Sequence, residues 1–260
     1  TMLWFAAWHL SLIDGDNVRS AVVTVPDLEH WIEAMPSALG ETVQQQVAAV
    51  QRPRSALHLG ARTVRLNEPQ IMGILNVTPD SFSDGGKHVD AQAAIDAGFA
   101  MAAAGAAVID VGGESTRPGA PLVWEGDEVG RIEPVVAALA KGGVAVSIDT
   151  RKAAVMEAAL AAGAALVNDI SALRYDERSL ELVAKAGCPV VLMHAPSARS
   201  DPHAGGGDYA HPLFDVYDML AARVAACTAA GIDPARIIVD PGIGFGKGVA
   251  DTLALINGLA

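Results

Sequence analysis

The sequence predicts an α/β fold, a (β/α)8 barrel of the TIM type with its first six βα units present and a partial α+β appendage before them. Three observations predict it. Short apolar runs alternate with Ala-rich segments of helical period from residue 71 onward, the pattern of consecutive βα units around a parallel sheet. Gly105, Gly142, Gly163, Gly187 and Gly231 stand where five of the helices should stop, as helix-terminating glycines do. Almost every apolar run ends on a polar or ionisable residue: Asn76, Asp110, Asp149, Asn168-Asp169, His194 and Asp240. An open doubly wound sheet would gather its ligand groups at one switch point. Polar groups at the end of strand after strand fit a barrel, where all strands feed one mouth.

The elements follow in order. Residues 1–53 read as an accessory region: a strand around Leu3–Ile13, a turn at Asp14–Asn17, a second strand at Arg19–Val25 and a helix from Asp27 to Val50 interrupted near Pro36 and Gly40. No chemistry attaches to it. Residues 54–260 form the barrel region, entered by a hairpin about Gly60-Ala61. Strands are expected at Ile71–Val77, Ala107–Gly112, Val144–Thr150, Ala165–Ile170, Pro189–His194 and Ile237–Asp240. Helices are expected near 90–104, 125–140, 151–162, 177–186, 212–230 and 250–260. Six strands cannot close at eight-strand geometry, so the expectation is that the natural chain continues past Ala260.

Composition narrows the function. Of 260 residues, 51% are hydrophobic and 18% charged, which fits a packed globular chain. A net charge of -12 argues against nucleic acid, which calls for a basic footprint. It leaves room for a phosphorylated substrate, since a few local cations or a metal ion outweigh the global field. Cys188 and Cys227 make no metal spacing and no disulfide framework, so a cytoplasmic location is expected. The apolar stretch Leu3–Ile13 is too short to span a bilayer, and no membrane association is expected.

Two loops carry candidate chemistry. Asn76 ends its strand and opens Thr78-Pro79-Asp80-Ser81-Phe82-Ser83-Asp84, where a carboxamide oxygen plus loop carboxylates suits Mg2+. The second loop, Asp110–Ala120, reads DVGGESTRPGA; its glycines permit close backbone approach, and Arg117 offers a fixed fork of donors for phosphate or carboxylate. Each alone is weak: an isolated Asn at a strand end is more often an ordinary turn cap. His203 and His211, eight apart in a Gly-rich loop, read as solvated. Gly244–Gly248 lacks the spacing of a phosphate-binding loop, and Ser115 and Ser171 have no partnered base.

Taken together, IMGILNVTPDSFSDGG and DVGGESTRPGA resemble the two signature segments of the dihydropteroate synthase family. The likeness continues through Ser147–Lys152, Leu166–Ser171, Val190–His194 and Val239–Lys247, covering residues 56–260. The resemblance implies condensation of 6-hydroxymethyl-7,8-dihydropterin diphosphate with p-aminobenzoate, giving 7,8-dihydropteroate and pyrophosphate. It assigns Asp149, Asn168 and Asp240 to reading the pterin, Met193 and Phe245 to its pocket walls, and Lys247 to the adjoining glycine-rich turn. Asn76 becomes the contact to Mg2+ and diphosphate. Phe82, Thr116, Arg117 and Pro118 become the enclosure of p-aminobenzoate and its sulfonamide mimics, and Asp110 a residue that helps position the loops. A homodimer is implied for the full-length form.

The family's later Ser-Arg-Lys and Arg-x-His segments do not follow Lys247 here, so the 260-residue chain is expected to be weak or inactive. Two rivals share parts of the pattern. A pterin-dependent methyltransferase has the same barrel and Asp–Asn–Asp contacts, but no use for the ESTRPG segment. A non-catalytic pterin-binding paralogue would retain the barrel without the missing cations.

Overall fold

The computed structural model describes residues 5–14, 17–78, 87–117, 119–198, 202–203 and 209–259. The chain divides into two compact units between Arg54 and Ser55.

In the first unit, β1 (Ala7–Asp14) and β2 (Asn17–Thr24) pair antiparallel, followed by α1 (Leu28–Glu33) and α2 (Ser37–Gln51). Val23, Leu28 and Val43 form its small core, with Trp8, Ile32 and Val47 packed around them. The expected long helix breaks at Pro36, which cannot donate a helical hydrogen bond. Gly40 does not interrupt it. It lies inside α2 against Ile32, whose carbonyl would sit 3.2 Å from an added side chain, so glycine there allows a close helix approach.

The second unit opens with a hairpin, β3 (Leu57–Leu59) and β4 (Arg62–Val64), turned at Gly60, whose φ of 60° favours glycine. Six βα units follow. The strands are β5 (Met72–Asn76), β6 (Val108–Gly112), β7 (Val146–Asp149), β8 (Leu166–Asp169), β9 (Val190–Met193) and β10 (Ile237–Asp240). The helices are α3 (Lys87–Ala103), α4 (Glu125–Lys141), α5 (Ala153–Ala162), α6 (Ser179–Ala186), α7 (Pro212–Ala229) and α8 (Val249–Asn257). All strands are parallel and lie in chain order from β5 to β10. An unbroken order with no reversal is the barrel arrangement rather than the doubly wound one. Among the described residues β5 and β10 are the sheet's edges.

Strand side chains alternate between faces, and the packing clusters show which face is which. Leu75, Ile109, Val111, Val146, Ile148, Val167, Val190 and Leu192 point toward the helices and build the main core. Val108, Ala145, Leu166 and Val191 point the other way and meet Leu57, Leu59 and Val64 of the hairpin, which plugs the N-terminal ends of the strands. Counting by twos from this plug, the inward residues at the C-terminal ends are Asn76, Gly112, Asp149, Asn168, Met193 and Asp240. Apolar side chains fill the bottom of the barrel interior and polar ones its mouth.

Four of the five expected helix-ending glycines adopt positive φ: Gly105, Gly163, Gly187 and Gly231. Gly142 does not. Its neighbour Gly143 takes the left-handed conformation at φ 78°, while Phe99 comes within 2.5 Å of where a Gly142 side chain would begin. Among the described residues, no helix is long and apolar enough to cross a membrane.

Candidate active site at the strand ends

The polar mouth is assembled from strands in register. Asn76 pairs with Gly112, Gly112 with Asp149 and Asp149 with Asn168, so four neighbouring strands end in one row. A side chain added at Gly112 would begin 3.3 Å from Asp149 Oδ2 and 3.6 Å from Asn76 Oδ1. Glycine therefore leaves a notch flanked by a carboxylate and a carboxamide.

Asp110 sits one step below this row, in the middle of β6 and not at the end where the sequence places it. It is buried, and its Oδ2 accepts a 2.8 Å hydrogen bond from Asn168 Nδ2. That bond orients the amide and leaves its carbonyl oxygen for other donors. Burial raises the Asp110 pKa. Burial also raises Asp149 well above the ordinary carboxylate value, helped by the surrounding charges of Asp110, Asp169, Glu128 and Glu114. A mouth so rich in carboxylates suits a ligand edge made of N–H donors.

Asp240 closes the row at the far strand, its Oδ1 accepting from the Gly242 amide at 2.7 Å. The turn beyond it is tightly held. Gly242 has φ 67°, and a side chain there would collide with the His194 carbonyl at 2.0 Å. Lys247 Nζ donates to the carbonyls of Gly242 at 2.9 Å, Phe245 at 3.1 Å and His194 at 3.3 Å. Three carbonyls match the three protons of an ammonium, so Lys247 ties the β10 turn to the end of β9. Burial lowers its pKa to about 8. Met193, Ile170, Ala195 and Phe245 pack together beside this turn.

Asp169 must be separated from its neighbour Asn168. It faces the helices, fully buried, and its carboxylate accepts from Ser171 N and Oγ at 2.7 Å each and from Leu173 N at 3.0 Å. These bonds secure a turn in which Ala172 and Leu173 both carry positive φ. Burial raises the Asp169 pKa to about 6. It builds the loop and does not face the mouth.

The second loop reaches the same region by an unforeseen route. His203, expected to be solvated, is half-buried; its Nε2 lies 2.9 Å from the Thr116 carbonyl, and its ring stacks on Phe245 at 4.6 Å. Thr116 and the apolar wall are thus joined through His203. Arg117 is exposed, its backbone N–H bonded to Ser115 Oγ at 3.4 Å. Phe82 and Pro118 lie outside the described residues. At the root of the loop is a buried ion cluster that no local sequence pattern marks, Glu114–Lys152–Glu128, with contacts of 2.9 and 2.6 Å. A depression of about 310 Å³ lined by Arg62, Arg65, Glu68 and Gln70 lies at the opposite ends of the strands and holds none of these groups. No cluster of three or more His, Cys, Asp or Glu side chains suited to a metal occurs among the described residues.

A parallel (β/α) sheet with an oriented amide and carboxylates at its C-terminal mouth, beside an apolar wall, is the arrangement of a barrel enzyme. The family model described as pterin binding enzyme matches residues 72–260, and the chain belongs to that family. Within it the relatives are dihydropteroate synthases, transferases of folate biosynthesis. The chain is 46% identical to dihydropteroate synthase of Mycobacterium leprae over 190 residues, covering 73% of this chain and 67% of that protein. It is 44% identical to that of Bacillus subtilis, covering 73% of this chain and 64% of the relative. The structure of the Xanthomonas albilineans synthase with 4-aminobenzoic acid superposes with a TM-score of 0.72 at 43% identity, covering 78% of this chain and 72% of that one. The Yersinia pestis synthase in a sulfonamide complex gives 0.71 at 44% identity, covering 79% and 74%.

Proposed function

We propose that this protein condenses 6-hydroxymethyl-7,8-dihydropterin diphosphate with p-aminobenzoate, through residues at the strand ends. The observation that carries the reading is the inward row of Asn76, Asp149, Asn168 and Asp240 around one mouth. Asp240 and Asp149 accept the ring N–H and amino protons of the pterin, while Asn168, turned by Asp110, meets its mixed donor–acceptor edge. Met193 and Phe245 flank the ring plane.

The bond from the pterin methylene carbon to the diphosphate oxygen breaks, and its electron pair leaves with the pyrophosphate. The reduced ring donates electrons to the developing cation. The aniline nitrogen of p-aminobenzoate then forms the new C–N bond and releases its proton to solvent or pyrophosphate. The protein's share is positioning, orientation of dipoles and exclusion of water.

Asn76 offers a hard oxygen donor beside the Gly112 notch, which fits Mg2+. The ion, held by Asn76 and the diphosphate itself, would neutralise the leaving group. Thr116 and Arg117, with Phe82 and Pro118, enclose p-aminobenzoate, and sulfonamides compete for that enclosure. A cytoplasmic location is supported by two free cysteines, Cys188 and Cys227; a homodimer is supported by the family resemblance.

The test is pyrophosphate release from dihydropterin diphosphate with and without p-aminobenzoate. Release that requires p-aminobenzoate supports the reading. Release at the same rate without it would make the protein a hydrolase and refute the proposal.

A further inference from the structure

The root of the second loop contains more structure than its motif explains. Lys152, at the start of α5, lies between two carboxylates, with Glu128 Oε2 at 2.6 Å and Glu114 Oε2 at 2.9 Å. Its side chain is 9% exposed, that of Glu114 8% and that of Glu128 0%, so water does not screen these contacts. Lys152 Nζ also donates to the Val123 carbonyl at 2.6 Å, and Glu114 Oε1 accepts from the Val123 N–H at 3.1 Å. Thr150 Oγ1 donates to Glu128 Oε1 at 2.7 Å, which fixes the second carboxylate to the end of β7. Arg151 lies 3.8 Å from Glu114 and stacks over Tyr175 at 4.3 Å. Two carboxylates and two cations balance, as a buried cluster must.

The connectivity is what matters. Glu114 is the first residue beyond the glycine pair that ends β6, and Val123 is the last but one before α4. Glu114 and Lys152 between them hold both the N–H and the carbonyl of Val123, closing the two ends of residues 114–123 onto each other. Gly113 is pinned as well: Arg131 donates to its carbonyl at 2.8 Å, and Ile132 would be 2.8 Å from a side chain there. Residues 115–117 and 119–122, including Thr116 and Arg117, are therefore an excursion from a fixed neck.

We propose that Glu114 and Lys152, braced by Glu128, are positioning residues for the p-aminobenzoate side of the reaction, clamping the neck of the second loop so that Thr116 and Arg117 return to one place. The inference rests on the functional reading above. The cluster grips both backbone groups of Val123, at the base of the loop that carries Thr116 and Arg117.

Glu114→Ala removes the carboxylate and with it the Val123 contact; Glu114→Gln retains an oxygen that accepts from the Val123 N–H. Hydrogen exchange of the full chain tests the clamp without reference to the reaction. In Glu114→Ala the Val123 amide should exchange at least about tenfold faster, with β6 amides unchanged and Glu114→Gln restoring protection. An unchanged Val123 rate overturns the clamp. Steady-state kinetics test its purpose: Glu114→Ala should raise KM for p-aminobenzoate about tenfold while KM for dihydropterin diphosphate moves less than about twofold. Equal changes in both constants, or neither, with turnover intact, overturn the positioning role alone. Absence of turnover even when the Ser-Arg-Lys and Arg-x-His segments expected beyond Lys247 are supplied overturns the functional reading, and this inference with it.

Discussion

Asn168 Nδ2 donates to Asp110 Oδ2 at 2.8 Å, across the interior between β8 and β6. The two residues are 58 apart in sequence, and the bond decides which end of the amide faces the mouth. Replacing Asp110 with Ala frees the amide to rotate. Pterin affinity should fall about tenfold or more, the worth of a hydrogen bond to a charged group, with little change in KM for p-aminobenzoate. Calorimetric titration with a pterin, set beside p-aminobenzoate kinetics, checks this; unchanged affinity would remove Asp110 from the orienting role.

Pterin binding should depend on pH through Asp149. Burial, then the neighbouring carboxylates, raise its pKa well above 3.8. Only the ionised form accepts two N–H groups, so affinity should decline as pH falls, beginning above the range of an ordinary carboxylate. Asp149→Asn should bind weakly with a flatter profile. A wild-type profile flat down to pH 4 would contradict the assignment.

Stability should respond to Asp169 in the opposite sense to a salt-bridged carboxylate. Its folded pKa, about 6, lies above its ordinary 3.8. The folded state therefore holds the proton more tightly, and the resulting stability is fully present below about pH 4 and lost as pH rises through 6. At about 1.4 kcal/mol per pH unit between those values, roughly 3 kcal/mol is at stake. Asp169→Asn cannot make that exchange, so the wild type's advantage in Tm should shrink from pH 4 to pH 7. A constant difference would show that Asp169 does not titrate in this window.

Gly242→Ala should be costly without touching any substrate. The new carbon meets the His194 carbonyl at 2.0 Å and must adopt φ 67°, so the Lys247 turn has to open. A loss of at least about 2 kcal/mol in denaturant unfolding is expected. A neutral outcome would mean that the turn is not rigid.

His203→Ala removes the bridge between the Thr116 carbonyl and the Phe245 ring. KM for p-aminobenzoate should rise severalfold while pterin affinity changes little, as kinetics and titration can show. A loss confined to pterin binding would indicate that His203 serves the apolar wall alone.

Much of this was legible in the sequence for a definite reason. A βα unit declares itself by period, and a polar residue closing an apolar strand is a visible exception. Asn76, Asp149, Asn168 and Asp240 could thus be read off as strand ends, and they face one mouth. Asp169 could not be sorted from Asn168 until the hairpin plug fixed which face of β8 points inward. His203 looked solvated because its partner Thr116 is 87 residues away, and nothing local marks a histidine that will find a backbone carbonyl. Glu114 and Lys152 stood inside recognised motifs, yet a motif does not say which of its charges will meet. Gly142 ends α4 as expected, but the left-handed turn falls on the second glycine, Gly143, a distinction no local pattern draws.

Calorimetric titration of 6-hydroxymethylpterin into the protein and its Asp240→Asn variant shows directly whether strand-end carboxylates read a pterin. If they do, binding to the unsubstituted protein is saturable and binding to the variant, whose amide mismatches two N–H donors, is at least about thirtyfold weaker. Equal affinity in both would contradict that role.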